Sequence, residues 1–216
     1  MNAENVLWIG GPQWSGKTTV AMILGARYPL IRYSYDYHDA RSHAERARTN
    51  AGRFPAFHAF LDASPDAVWV DAKPVQMAKQ AHAIFKERFQ MVLEDIARLP
   101  LQTTVLAEGW GLRPELLATV VDEPTRCVFL LPTEAFRKRQ LETLDRSKSL
   151  SIQGLRDPDR AQQNRVERDR LLADDVRAQA AMAGLPIIDV DGSETHVEVA
   201  ARVERQFRPF LPTWLY

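Results

Sequence analysis

The chain has 216 residues, 45% of them hydrophobic and 26% charged, with 28 Lys and Arg against 28 Asp and Glu. That length and mix give one globular domain with a sizeable core, and exclude a disordered, collagen-like or disulfide-stapled chain. Zero formal charge argues against bulk nucleic-acid or membrane-surface binding, and the lone Cys127 has no internal disulfide partner, which fits a reducing, cytoplasmic setting.

No apolar run approaches the ~20 residues a bilayer needs. Met1 to Asn5 carries no basic n-region, so a secretory leader is not expected. Val6 to Ile9 reads as a buried strand, ended by Gly10-Gly11-Pro12. From Lys17 the pattern turns helical, with Val20, Ile23, Leu24 and Arg27 in step, until Pro29. Leu30 to Tyr35 reads as a second strand with Asp36 just beyond it. Residues 37–75 mix histidines, aromatics, prolines and charges, which predicts short helices and loops in an insertion. Residues 75–98 form an amphipathic helix, with Phe85, Phe89, Val92 and Ile96 on one stripe.

Thr103 to Ala107 is a third strand ending at Glu108-Gly109, and Arg126 to Leu131 a fourth. Pro132-Thr133-Glu134 suits a helix N-cap, and that helix runs to about Asp145. A polar loop at 146–158 precedes a long helix from Asp159 to Ala183, closed by Gly184. Pro186 to Val190 is a fifth strand, Asp191-Gly192-Ser193 a turn, and Glu194 to Phe207 a last helix. Strands alternating with helices predict a parallel sheet with crossovers.

Gly11-Pro12-Gln13-Trp14-Ser15-Gly16-Lys17-Thr18 matches the Walker A pattern, follows a strand and opens a helix. Gly11 and Gly16 let the backbone curl and turn its N–H groups inward, together with those of Trp14, Ser15 and Thr19 around the loop. The helix N-terminus adds partial positive charge. Lys17 is placed to reach the outer phosphates, and the Thr18 hydroxyl to bind Mg²⁺. ATP and Mg²⁺ are therefore the expected cofactors. A GTPase needs an Asn-Lys-x-Asp string, which is absent, and the Asp189-Val190-Asp191-Gly192 match to Asp-x-x-Gly lies on the last strand.

With that motif and this order of elements, the chain resembles the small-molecule and nucleotide kinases of the P-loop class. Shikimate kinase, chloramphenicol phosphotransferase, zeta-toxin kinases and adenylate-kinase-like enzymes are the reference points. The resemblance implies a doubly wound α/β domain of the P-loop nucleoside triphosphate hydrolase fold. It implies five parallel strands in the order 2-3-1-4-5, with helices on both faces. One domain spans 1–216, with an acceptor-side insertion at 37–75 and a lid at 146–170.

The resemblance also implies roles. Asp36 is the candidate base for an acceptor hydroxyl, unless it only caps the next helix; His38 beside it could line the acceptor pocket. Glu108, in Glu108-Gly109-Trp110-Gly111, stands where a Walker B carboxylate belongs and is a metal or acceptor contact. Gly109 lets a ligand approach, and Trp110 offers an apolar wall. Arg88, in Glu87-Arg88-Phe89, is an acceptor anchor or one cation on a solvated helix face. Ten Lys and Arg fall between Arg137 and Arg170, and six acids interleave with them. Arg160 and Arg168 share a helix face with Asn164 and are the favoured phosphate clamps. Arg139, with Asp191 and Gly192, belongs to the nucleotide side.

The expected activity is ATP-dependent phosphoryl transfer to a small hydroxyl-bearing acceptor. A nucleotide-binding regulatory module and an ATPase are the rivals. The apolar Phe210 to Tyr216 segment packs back on the domain or meets a second copy, so a homodimer is compatible.

Overall fold

The computed structural model describes residues 5–100, 102–143 and 154–213. Strand β1, Val6–Gly10, is buried along its whole length. Successive side chains of a strand point to opposite faces. Val6 and Trp8 therefore enter one core, and Leu7 and Ile9 the other. Cys127, Phe129 and Leu131 of β4, Cys127–Pro132, join the first, and Val128 and Leu130 the second. Apolar residues on both faces are the mark of a sheet covered by helices on both sides. Burial pushes the Cys127 thiol up to about 12, so it packs as a small hydrophobe.

The other strands are β2, Ile31–Ser34, β3, Val105–Glu108, and β5, Ile187–Val190. All pairings are parallel, in the order β2-β3-β1-β4-β5. This is the expected doubly wound P-loop α/β fold. Helices α1, Lys17–Arg27, and α8, His196–Phe207, cover one face. Helices α4, Pro74–Ile96, and α7, Pro158–Met182, cover the other. Phe85, Phe89, Val92 and Ile96 all enter that second layer, as their spacing requires. Helix α6, Glu134–Thr143, starts at the expected cap, where Thr133 Oγ1 accepts from the Phe136 amide at 3.3 Å.

The segment after β2 holds α2, Ala44–Thr49, α3, Pro55–Asp62, and two wide helical turns at 39–43 and 67–71. It builds a small core of its own from Ala44, Ala47, Phe54 and Phe57 against Ile84 and Met91 of α4. Helix α5, Pro114–Leu117, is a short element that the sequence pattern did not announce. Arg146 and Lys148 of the expected lid, and residues 214–216 of the apolar tail, lie outside the described residues. Phe210 and Leu211 do fold back, onto the core under α8, with the Arg126 guanidinium 3.9 Å from the Phe210 ring. Among the described residues no helix is long and apolar enough to cross a membrane.

Candidate active site

The site forms at the carboxyl ends of β1, β2 and β3, where the strand order changes direction. The loop after β1 needs its glycines. A Cβ on Gly11 would lie 2.2 Å from the Leu130 carbonyl oxygen, at φ +126°. Gly16 ends the loop at φ +80° and starts α1. Trp14 is the one non-glycine residue of positive φ among the described residues, at 68°. The Ser15 hydroxyl donates to the Pro12 carbonyl at 2.9 Å.

Lys17 is buried and curls back over this loop. Its Nζ donates to the Pro12 carbonyl at 2.7 Å and to Ser15 Oγ at 3.3 Å. Burial lowers its pKa, and the charges of Asp36 and Glu108 oppose that shift. Thr18 Oγ1 donates to Glu108 Oε2 at 3.1 Å, and Ser34 Oγ donates to Glu108 Oε1 at 2.7 Å. The ends of β2, β3 and α1 thus meet on one buried carboxylate. A hydroxyl and a carboxylate side by side are hard oxygen donors, the set that Mg²⁺ prefers.

A cleft of about 230 Å³ opens above the loop, walled by Lys17, Thr18, Thr19, Trp14, Gln13 and Asp36. Asp36 opens the turn after β2 and is exposed to the cleft. Its carboxylate takes no hydrogen bond among the described residues, so it is no helix cap. Its carboxyl is pushed up to about 6, first by desolvation among the surrounding walls and then by Glu108 and Asp39; Lys17 and Arg88 pull it down. Solvent still reaches it from the open side and moderates that penalty.

A second cavity, of about 400 Å³, shares Gln13 and Asp36 with the first. Arg88, Trp110 and Arg168 line it. Arg88 is 2% exposed, so it is no part of a solvated helix face. Its Nε donates to His43 Nδ1 at 3.3 Å, one terminal nitrogen to the Tyr35 carbonyl at 2.9 Å, and the other pairs with Asp39 at 3.0 Å. His43 Nε2 meets Asp95 at 3.0 Å. Burial first, and Arg88 next, push His43 down to about 4. A neutral His43 gives its Nε2 proton to Asp95 and keeps Nδ1 as acceptor. The triplet Glu87-Arg88-Phe89 does three jobs. Glu87 caps α3 by accepting from the Ala56 and Phe57 amides, both at 2.8 Å; Arg88 enters the site; Phe89 enters the core.

The other expected residues fall in different places. Gly109 admits no ligand: Tyr35 Cβ stands 2.3 Å from where its Cβ would be, and the Tyr35 ring takes the same space at Gly111. Both glycines exist for that close packing. His38 is stacked on Tyr33 at 4.8 Å and on His43 at 5.4 Å, and is not in the cavity wall. Arg168 is buried, bonded to Asp169 at 2.6 and 2.9 Å. It faces the second cavity rather than the phosphate cleft. Asn164 on the same helix side donates to the carbonyls of Trp69, Val70 and Ala72, which ties α7 to the insertion. Arg160, four residues earlier, is exposed and lines neither cavity.

On the far side of the loop a third cavity, of about 370 Å³, lies among Trp14, Thr19, Phe136, Gly192 and His196. Arg139 donates to the Asp191 carbonyl at 2.9 Å beside it. A Cβ on Gly192 would meet that guanidinium at 2.5 Å. The Asp191 carboxylate is spent on the turn, accepting from the Ser193 amide and hydroxyl. Sequence reasoning missed Gln13, Ser34, Arg165, Phe136 and His196 as site residues, and Trp69 most of all. The apolar run Val68-Trp69-Val70 inside a polar insertion was its one available signal.

No protein-family model and no curated protein matches the chain. Solved structures do resemble it in fold. The shikimate kinase from Aquifex aeolicus superposes over 94% of this chain and 96% of its own, at 19% identity and a TM-score of 0.48. The shikimate kinase from Acinetobacter baumannii, solved with shikimate, superposes over 95% and 93%, at 16% identity and the same TM-score of 0.48.

Proposed function

We propose that the protein is a kinase that moves the γ-phosphoryl group of ATP to the hydroxyl of a small molecule. One observation carries this reading. Asp36 stands in the wall common to the phosphate cleft and the second cavity, so a single carboxylate faces both a nucleotide and an acceptor. A hydrolase has no need of a separate cavity of about 400 Å³ opening onto its phosphate loop.

The loop amides and Lys17 hold the outer phosphates. Lys17 must exchange its bond to the Pro12 carbonyl for one to phosphate. Thr18 and Glu108 are the residues that would hold Mg²⁺, which neutralises phosphate charge when bound. The acceptor hydroxyl enters from the second cavity. Its oxygen bonds to the γ-phosphorus as the bridge to the β-phosphate breaks. Its proton passes to Asp36, and ADP leaves. The cavity by Phe136 and His196 takes the base of the nucleotide.

ADP release measured with ATP alone and with added metabolites tests this reading. Release that depends on an acceptor supports it. Equal release without any acceptor makes the protein a hydrolase, and binding without release makes it a regulatory module. Lys17→Ala should weaken ATP binding at least tenfold, about 1.4 kcal/mol. Titration calorimetry checks this, with circular dichroism to show an intact fold. Unchanged affinity would remove Lys17 from the phosphate site.

A further inference from the structure

The second cavity is zoned. Its phosphate end carries Gln13, Asp36, Asp39 and Arg88. Its far end is lined mainly by apolar side chains of the insertion and α4, with Gln80 of α4 and Arg165 and Arg168 of α7 among them. The insertion contributes Phe57, Phe60, Val68 and Trp69. Helix α4 contributes Met77, Ile84 and Phe85, and the β3 end contributes Trp110. Two edge-to-face pairs fix these walls: Phe85 with Trp110 at 4.8 Å, and Phe60 with Trp69 at 6.4 Å. Arg168 bridges the pairs, its guanidinium carbon 5.0 Å from the Trp69 ring centre and 5.3 Å from that of Trp110. Its charge is answered by Asp169 on the same helix.

No Ser, Thr, Asn or Tyr side chain lines this cavity among the described residues, and Gln80 is the lone neutral amide away from the loop; Arg165 and Arg168, which also line it, donate to Gln162 at 3.2 Å and to Asp169 at 2.6 and 2.9 Å. That composition selects. A polyol placed here would give up its water hydrogen bonds and find few replacements, which costs binding for every buried hydroxyl. A flat apolar ring would displace water from aromatic walls and stack edge or face against them. The cavity lies in the size range that takes a ring-bearing small molecule.

Resting on the kinase reading above, we propose that the acceptor is a ring-bearing, largely apolar alcohol. Its hydroxyl points to Asp36 and its ring lies against the aromatic wall of Phe60, Trp69, Phe85 and Trp110, beside the Arg168 guanidinium that joins the two pairs. Selectivity against sugars and polyols comes from those aromatic walls, and Trp69 and Phe60 are the specificity-determining residues.

The test uses the whole protein with 3-phenyl-1-propanol and cinnamyl alcohol as probes, against glycerol and myo-inositol. Binding is read by calorimetry with a non-hydrolysable ATP analogue present, and turnover by ADP formation with ATP and Mg²⁺. The aryl alcohols should bind and should exceed both polyols in kcat/KM by at least tenfold. In Phe60→Gln and Trp69→Gln, both at partly exposed positions, aryl alcohol affinity should fall at least tenfold with ATP affinity kept. If neither aryl alcohol binds up to its solubility limit, the proposal is overturned; polyol-dependent ADP in that case leaves the kinase reading intact. Aryl alcohol binding without any ADP would instead uphold the apolar ligand class and sink the kinase reading. Should a variant fail to fold, the ranking of the four alcohols on the unaltered protein decides alone.

Discussion

Asp36→Asn should lower turnover by roughly 10²–10⁴-fold and leave ATP binding nearly intact. The amide keeps the size and polarity of the side chain but cannot take a proton. The structure favours this outcome because no hydrogen bond among the described residues ties the carboxylate up, so its loss should not disturb a fold contact. Its environment also sets a pH dependence. The carboxyl is raised toward about 6, above the ordinary carboxylate range, and only the ionised form accepts a proton. Below that point the base is protonated and idle; kcat/KM should therefore rise with pH through about 6 and level off above it. Asp36→Asn should abolish that rise along with the rate. A variant that loses ATP binding instead would place Asp36 at the metal. A variant with unaltered turnover would take it out of the mechanism.

The second large effect is on stability. Phe89 is 4% exposed, on the inner face of α4, with its ring 6.2 Å from that of Trp8 at the centre of the sheet. Phe89→Ala removes a buried ring and leaves a cavity that the sheet cannot collapse to fill. The expected cost is about 3–5 kcal/mol. At this chain length each kcal/mol lowers Tm by roughly 2–4 °C, so calorimetry should find a drop on the order of 10 °C. A drop of only a degree or two would mean that α4 is not anchored through this ring. Because Arg88 is the preceding residue, the same variant should loosen the acceptor side before it touches the phosphate loop.

These two residues show how differently position and role were written in the chain. Phe89 was legible, since a helix repeats every 3.6 residues and the stripe through Phe85, Val92 and Ile96 can face only a core. Arg88 was legible only in part. Its charge allowed a solvated face as well as the acceptor anchor that the resemblance implied, and only the tertiary packing, with His43, Asp39 and the Tyr35 carbonyl around it, makes burial of a guanidinium tolerable. The parallel sheet was legible from the alternation of strands and helices, whereas its order, β2-β3-β1-β4-β5, was implied only by the resemblance to P-loop kinases. The short helix α5 was not, because four residues carry no period.

The sequence by itself determined the local chemistry. Gly11 and Gly16 permit the positive φ angles that the loop's curl requires, and Lys17 and Thr18 then start the helix at its mouth. Tertiary structure decided everything that depends on segments far apart. Glu108 became a partner of Thr18 and Ser34 because three strand and helix ends converge. Gly109 became a seat for Tyr35 rather than for a ligand. Arg168 turned to the second cavity because Asn164, on its own side of α7, is held by three carbonyls of the insertion. Helical period fixes which residues share a face, but only the packing of one helix on another fixes what that face looks at. The aromatic walls arise the same way: Phe60, Trp69, Phe85 and Trp110 are spread over 51 positions, and no local pattern records that they will meet.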